Sequence, residues 1–202
     1  MKIEINIDLK SDWLVPVTYT AAGQSFSIQT YPGVFSYKKI DKATDFLLRS
    51  TSFHPADKVL DLGCGVGIVG LVAARRCPQG QVEMVDIDPR AVALALRNVT
   101  TNNIKNAAVY ASHIYDSVVS KDFDKIIVNL PAQIAKPVQQ QILRGSREHL
   151  KPDGVFLVVV QARLQRFVKR VLREVFAEVK FLGKESHFVI IEGRQKIKDL
   201  KE

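Results

Sequence analysis

The sequence predicts an α/β chain: a mostly parallel seven-stranded sheet with a C-terminal antiparallel hairpin and an N-terminal β extension. Three observations predict it. From residue 57 onward, short apolar runs alternate with stretches of helical period, the rhythm of a parallel sheet covered by helices on both faces. A glycine-rich run, residues 63–67, joins the first of these strands to its helix. Residues 155–160 are apolar without interruption, as a strand buried on both faces requires.

The elements follow in order. Residues 3–9 alternate apolar and polar side chains. Residues 13–20 and 25–31 flank Ala21-Ala22-Gly23-Gln24 and read as a hairpin. Pro32-Gly33 breaks the pattern, and residues 41–52 read as a helix with Asp41 near its start. Residues 59–62 form the first sheet strand, 68–77 its helix and 82–85 the next strand. Asp88-Pro89 is a strong helix start, with Asp as cap and Pro at the first helical position, and that helix runs to about residue 101. Residues 107–111 and 125–128 are strands. Residues 134–150 form a helix stopped by Lys151-Pro152-Asp153-Gly154. After the strand at 155–160 a helix spans 161–176, and residues 175–182 and 186–192 pair around Gly183-Lys184. We read residues 1–202 as a single domain, with 1–31 the β extension, 32–193 the core and 194–202 a charged tail.

Composition excludes several classes. With 47% apolar and 25% charged residues the chain can build a substantial core and is not globally disordered. No window approaches the apolar length of a membrane span, and acids interrupt the N-terminal residues where a signal peptide needs an apolar run. Two cysteines, Cys64 and Cys77, are too few for a disulfide framework or a cysteine zinc site. A reduced, cytoplasmic setting and no bound metal are expected.

The glycine run carries the chemistry. Asp61-Leu62-Gly63-Cys64-Gly65-Val66-Gly67 sits between strand and helix, where glycines let the backbone turn tightly and approach a ligand. Asp86 closes the next strand, 19 residues after Gly67, placed to accept hydrogen bonds from both hydroxyls of a ribose. Together they read as a nucleoside-containing cofactor site. Gly65, Gly67 and Gly70 also satisfy the dinucleotide pattern G-x-G-x-x-G. Two features favour S-adenosylmethionine over a dinucleotide. Asp61 suits the ammonium of a methionine moiety but would repel a pyrophosphate. The chain also ends in a hairpin and not in a second mononucleotide-binding half.

These residues, with Val85-Asp86-Ile87-Asp88-Pro89, resemble the Rossmann-like class I S-adenosylmethionine-dependent methyltransferases. Gly33-Val34-Phe35-Ser36 followed by Asp41 resembles the opening segment of the small-domain methyltransferase superfamily, whose RsmC-type members methylate the exocyclic N2 of guanine in small-subunit ribosomal RNA. The resemblance covers roughly residues 30–193. It implies a cofactor site made of Phe35, Asp41, Asp61, Gly63, Gly65, Gly67, Asp86, Ile87, His113 and Asn129. His113 stands where the family carries an Asp that contacts the adenine amino group; a neutral His can accept such a bond through one ring nitrogen.

The fourth sheet strand ends in Asn129-Leu130-Pro131-Ala132. Related amino methyltransferases carry Asn-Pro-Pro and an aromatic or other apolar residue there. An Asn side-chain oxygen and a following carbonyl can accept hydrogen bonds from an amino group and aim its lone pair at a methyl carbon, so Asn129 and Pro131 are the expected catalytic residues. Leu130 replaces the first Pro, which predicts a looser backbone. Ala132 replaces the aromatic, which predicts that another ring, Phe35 or Tyr37, holds the base or that activity is lost.

Charge suggests the partner. Lys and Arg outnumber Asp and Glu 29 to 21, and the excess lies almost wholly beyond residue 132. On a helical wheel Arg163, Arg166, Lys169, Arg170 and Arg173 share one side, opposite an apolar face, and form a candidate RNA-phosphate contact. The leading expectation is an N-methyltransferase of RNA, with ribosomal RNA as partner. Asn-x-Pro strand ends also serve methyltransferases of protein glutamine or small amines, and a non-catalytic RNA-binding protein on the same scaffold is the third class.

Overall fold

The computed structural model describes residues 7, 9–21 and 23–195. The alternating stretch at residues 3–9 and the tail beyond 195 therefore lie essentially outside the described residues. Seven strands form one sheet in the order β5-β4-β3-β6-β7-β9-β8. They are β3 (Val59–Leu62), β4 (Val82–Asp86), β5 (Ala107–Ala111), β6 (Phe123–Asn129), β7 (Leu150–Gln161), β8 (Glu178–Glu185) and β9 (Phe188–Arg194). The first five run parallel; β9 is antiparallel to both β7 and β8. The chain leaves central β3 toward β4 and β5, then crosses back to β6 on the other side. That reversal opens a crevice at the carboxyl ends of β3 and β6, where open α/β sheets bind ligands.

Five helices cover the sheet: α1 (Lys42–Ser50), α2 (Ile68–Arg76), α3 (Pro89–Thr101), α4 (Lys136–His149) and α5 (Gln165–Leu172). Leu47, Leu71 and Leu94 bring α1, α2 and α3 onto the face that carries Ile127, Val159 and Ile190. Leu143, Val168 and Val171 bring α4 and α5 onto the opposite face, against Ile126, Val158 and Ile191. Alternate residues of the central strands thus enter two cores, which is why these strands read as continuous apolar runs. Asp41 and Asp88 cap α1 and α3 by accepting the backbone N–H of Thr44 and Arg90 at 3.1 and 2.9 Å. Among the described residues no helix is long and apolar enough to cross a membrane.

Several boundaries differ from expectation. The basic helix is shorter than 161–176: Gln161 still pairs with Phe188 as the last residue of β7, and a 3-10 turn at Ala162–Leu164 precedes α5. Lys151-Pro152-Asp153-Gly154 does not merely stop α4 but belongs to an irregular start of β7, where pairing with β6 shifts register. The closing turn falls at Ser186-His187, not at Gly183-Lys184. Gly183 instead follows a bulge in β8, and Ser186 takes the left-handed conformation at φ 52°.

The N-terminal extension is a separate hairpin, β1 (Val15–Ala21) and β2 (Gln24–Thr30), in the register Val15↔Thr30 to Ala21↔Gln24. It does not join the main sheet. Phe26 and Ile28 bury its apolar side in the first core, and two asparagines, one in α3 and one capping its C-terminus, take the place of a neighbouring strand. Asn102 accepts from the N–H of Ser27 at 3.0 Å and donates to its carbonyl at 2.7 Å. Asn98 does the same for Gln29 at 2.7 and 3.1 Å, and donates to Val66 O in the glycine loop at 2.9 Å. Asn98 therefore ties the hairpin to the loop below it. Asn98→Ala strands buried backbone groups on both and should cost about 2–3 kcal/mol in urea denaturation. Amide exchange should accelerate at Gln29 more than at Ser27, whose bonds to Asn102 survive.

Candidate active site

A cavity of about 710 Å³ opens at the carboxyl ends of β3, β4, β6 and β7. Its walls bring together residues from opposite ends of the chain. Phe35 and Asp41 come from the opening segment, Gly63 and Gly65 from the glycine loop, Asp86 and Ile87 from the end of β4. His113 follows β5, and Asn129, Leu130, Pro131 and Ala132 follow β6. Asp61 and Gly67, also expected at the site, do not line it. Tyr37, one of the two rings expected to hold a base, does not line it either, and its ring lies under the Lys38 ammonium at 5.2 Å.

The glycine loop has a backbone that side chains rarely adopt. Gly63, Gly65 and Gly67 have φ of 75°, 54° and 89°. A Cβ at Gly63 would project into open space on the cavity side, so its absence leaves room for a ligand against bare backbone. Gly70, the third glycine of the dinucleotide pattern, serves packing: a Cβ there would sit 2.4 Å from Met84.

Two carboxylates hold this loop, one beneath it and one facing the cavity. Asp61 is only 3% exposed and its Oδ2 accepts the N–H of Gly70 at 2.8 Å. It is a brace under the helix start and not part of the wall. Burial, with the nearby Asp86 charge adding to it and the Gly70 bond opposing it, raises its pKa to about 7. Asp86 lines the cavity. Its Oδ2 accepts from Gly65 N at 2.8 Å and its Oδ1 from Asp88 N at 2.9 Å. Burial raises the Asp86 pKa, against the pull of those N–H groups. With both oxygens anchored by backbone, their remaining lone pairs are pre-aimed. Ile87 follows, 66% exposed, an apolar side chain held at the wall. Phe35 is no core aromatic. It is 57% exposed, and its Cβ lies 3.8 Å from where a Gly65 side chain would begin. His113 is half exposed, with Nδ1 3.3 Å from Asp116.

Asn129 is placed by partners that spacing could not reveal. Its Nδ2 donates to Asp41 Oδ2 at 3.1 Å and to Thr44 Oγ1 at 3.0 Å, both at the start of α1. The amide nitrogen is thereby committed, and Oδ1 has no hydrogen-bond partner among the described residues. Leu130 does not loosen the strand end as expected. Its N–H donates to Val159 O at 3.0 Å, a bond no proline could make, and so closes the last β6–β7 pair, Asn129↔Val159. Pro131 lines the cavity, and its carbonyl accepts from Gln139 of α4 at 3.0 Å.

Sequence reasoning missed Thr44, Gln161 and Phe188. Thr44 carried a weak signal, three residues after the Asp41 cap. Gln161 and Phe188 line the cavity through the pairing of β7 with β9, which only the folded sheet reveals. The five cations of the basic stripe form no salt bridge with a carboxylate among the described residues. Arg163, Arg166, Arg170 and Arg173 are exposed, and Lys169 lies over the Phe181 ring. The nearby acids Glu174 and Glu178 are taken by Arg144 and Lys180.

A parallel sheet with this strand order, a glycine loop after its central strand and an acid closing the next one define a class I, Rossmann-like methyltransferase fold. Comparison with known proteins names the family. The profile of the methyltransferase small domain matches residues 25–192, and the chain belongs to that family, whose cofactor is S-adenosylmethionine. It is 30% identical over 182 residues to the uncharacterized protein YbxB of Bacillus subtilis, covering 88% of this chain and 90% of the relative. It is 30% identical over 189 residues to ribosomal RNA small subunit methyltransferase C of Haemophilus influenzae, covering 92% of this chain but 56% of that protein. The 16S rRNA N2 G1207 methyltransferase of T. thermophilus, solved in complex with AdoMet and guanosine, superposes with a TM-score of 0.81 at 25% identity. That match covers 91% of this chain and 51% of the other. The chain thus spans about half the length of the ribosomal RNA methyltransferases it matches.

The raised pKa of Asp61 has a consequence for stability. An acid titrating near 7 when folded and near 3.8 when unfolded holds its proton more tightly in the native state. Its favourable contribution is complete below the unfolded value and is lost as pH rises through the folded one. Asp61→Asn keeps the acceptor for Gly70 and has no charge to bury. Thermal unfolding should show the variant gaining on the order of 3 kcal/mol over wild type at about pH 8, with the gap closing toward about pH 4.

Proposed function

We propose that this chain transfers the methyl group of S-adenosylmethionine to the exocyclic N2 of a guanine in small-subunit ribosomal RNA, in the cytoplasm. The observation that carries this reading is the commitment of Asn129 Nδ2 to Asp41 and Thr44, which leaves Oδ1 as the atom the side chain offers to the cavity. An amine needs an acceptor there, not a donor.

The residues present fit the cofactor. Gly63 and Gly65 offer bare backbone in the cavity wall, Asp86 offers anchored carboxylate oxygens to ribose hydroxyls, and Ile87 and Phe35 offer apolar surface in the same wall. When bound, the cofactor supplies a methyl carbon made electrophilic by its sulfonium. The chain supplies position. Asn129 Oδ1 and the carbonyl of Leu130, which accepts no hydrogen bond among the described residues, would each take one N–H of the amine. That would leave the nitrogen lone pair free to meet the methyl carbon. Positioning of this kind accounts for much of the acceleration of a direct displacement, and the amine loses its proton after attack, so no side chain need act as a strong base.

The relatives support this acceptor. The Haemophilus protein is named for small-subunit ribosomal RNA, and the T. thermophilus structure holds guanosine. The basic stripe begins at Arg163 in the turn before α5, whose Nε donates to Gln161 in the cavity wall at 2.8 Å, so the phosphate-binding stripe would start where the site ends.

Labelled methyl incorporation into small ribosomal subunits or their naked RNA tests the reading; transfer to protein and to no RNA would overturn it. Asn129→Ala should lower turnover by about 10²-fold with cofactor affinity nearly unchanged, while Asp86→Ala should abolish cofactor binding measured by calorimetry. Replacing Arg163, Arg166 and Arg170 together by Ala should weaken RNA binding and flatten its log–log salt dependence by roughly two to three in slope.

A further inference from the structure

Phe188 and Gln161 line the same cavity as Ala132, where the expected aromatic is missing. They face each other across the β7–β9 ladder. Asn129 pairs with Val159, and Gln161 lies two residues beyond Val159 on the same strand. Side chains alternate along a strand, so Asn129, Val159, Gln161 and Phe188 all lie on the face covered by α1. The offset from Asn129 to Gln161 is roughly 7 Å along the strand and about 5 Å across it, comparable with the span of a purine plus a hydrogen bond at each end. All but Val159 line the same cavity.

Their chemistry suits a base. Phe188 is partly buried with its inner side packed against the core. The exposed His187 ring leans against it, with centroids 4.1 Å apart and planes tilted by 38°. Gln161 Oε1 accepts from Arg163 Nε at 2.8 Å. This fixes the amide and leaves Nε2 as a donor with no partner among the described residues.

We infer that Phe188 and Gln161 are the base-recognition pair of this enzyme: the Phe188 ring stacks on the acceptor base and Gln161 Nε2 donates to an acceptor atom on its edge. The stacking surface lost at Ala132 is thus supplied from the C-terminal hairpin. A side chain that donates to the base, two positions from the cation that would hold the phosphate, couples recognition of the base to recognition of the backbone. The inference rests on the proposed reading that the methyl acceptor is a guanine amine.

Calorimetric titration of guanosine into the S-adenosylhomocysteine-loaded protein tests it, alongside methyl transfer to ribosomal RNA. Phe188→Leu keeps apolar volume but removes the ring, and Phe188→Tyr restores the ring. Gln161→Glu keeps the acceptor toward Arg163 but deletes the donor, so a role confined to holding Arg163 would survive it. Phe188→Leu and Gln161→Glu should each weaken guanosine binding about tenfold and raise KM for RNA more than they lower kcat. S-adenosylhomocysteine affinity should stay unchanged, and Phe188→Tyr should bind guanosine as wild type does. Wild-type guanosine affinity in either Phe188→Leu or Gln161→Glu overturns the inference and leaves the proposed function standing. A wild-type protein that neither binds guanosine nor methylates RNA overturns both.

Discussion

The start of α1 and the end of β6 meet through one amide nitrogen, and the geometry of the cavity depends on that junction. Asn129 Nδ2 bridges the capping carboxylate of Asp41 and the hydroxyl of Thr44. The same Asp41 oxygen also accepts the N–H of Thr44, so the helix cap and the strand end share an acceptor. That contact ties the start of α1 to the strand end and fixes which way the Asn129 amide points. Neutral amide-to-carboxylate bonds of this kind carry modest net energy, but leaving such groups unpaired in a half-buried site is expensive. The junction is therefore better understood as fixing an orientation than as a source of stability.

Two acids of the same chemistry serve different ends because their surroundings differ. Asp61 is enclosed beneath the loop with one N–H for a partner, and burial pushes its pKa to about 7. Asp86 accepts from the backbone on both oxygens and keeps a side open to the cavity. The first holds the opening turn of α2; the second holds the glycine loop at Gly65 and offers its own charge to a ligand. A carboxylate expected to meet an ammonium thus braces backbone, buried beneath the helix start with its Oδ2 on the Gly70 N–H.

The strand end after β6 departs from the Asn-Pro-Pro pattern in two places, and the fold answers each differently. At Leu130 the lost ring constraint is replaced by a backbone hydrogen bond to Val159. At Ala132 no aromatic stands at the strand end; the cavity wall instead carries Phe35 from the opening segment and Phe188 from β9, which pairs antiparallel to β7 and sets Phe188 beside Gln161. The C-terminal hairpin completes the sheet and also supplies part of the wall.

How much of this was legible in the sequence depends on the range of the interactions. The α/β class, the strands at Val59–Leu62 and Ala107–Ala111, the Asp88-Pro89 helix start and the glycine loop with Asp86 were legible, because periodicity, capping and φ preference act over a few residues. Helix ends and the closing turn were less so, since pairing with β9 keeps Gln161 in a strand and a bulge moves the turn past Gly183. The hairpin was visible, but its docking through Asn98 and Asn102 was not, as those residues lie on and at the end of a helix about seventy residues away. The same holds for the site. Sequence determined which residue types the strand ends carry: a glycine loop, an acid, an asparagine before a proline. Only the tertiary structure decided that Asp61 lies beneath the loop, that Asn129 turns its oxygen to the cavity and that Phe188 and Gln161 share its wall. An amide's direction and a carboxylate's exposure are set by partners distant in the chain, and local sequence carries no record of them.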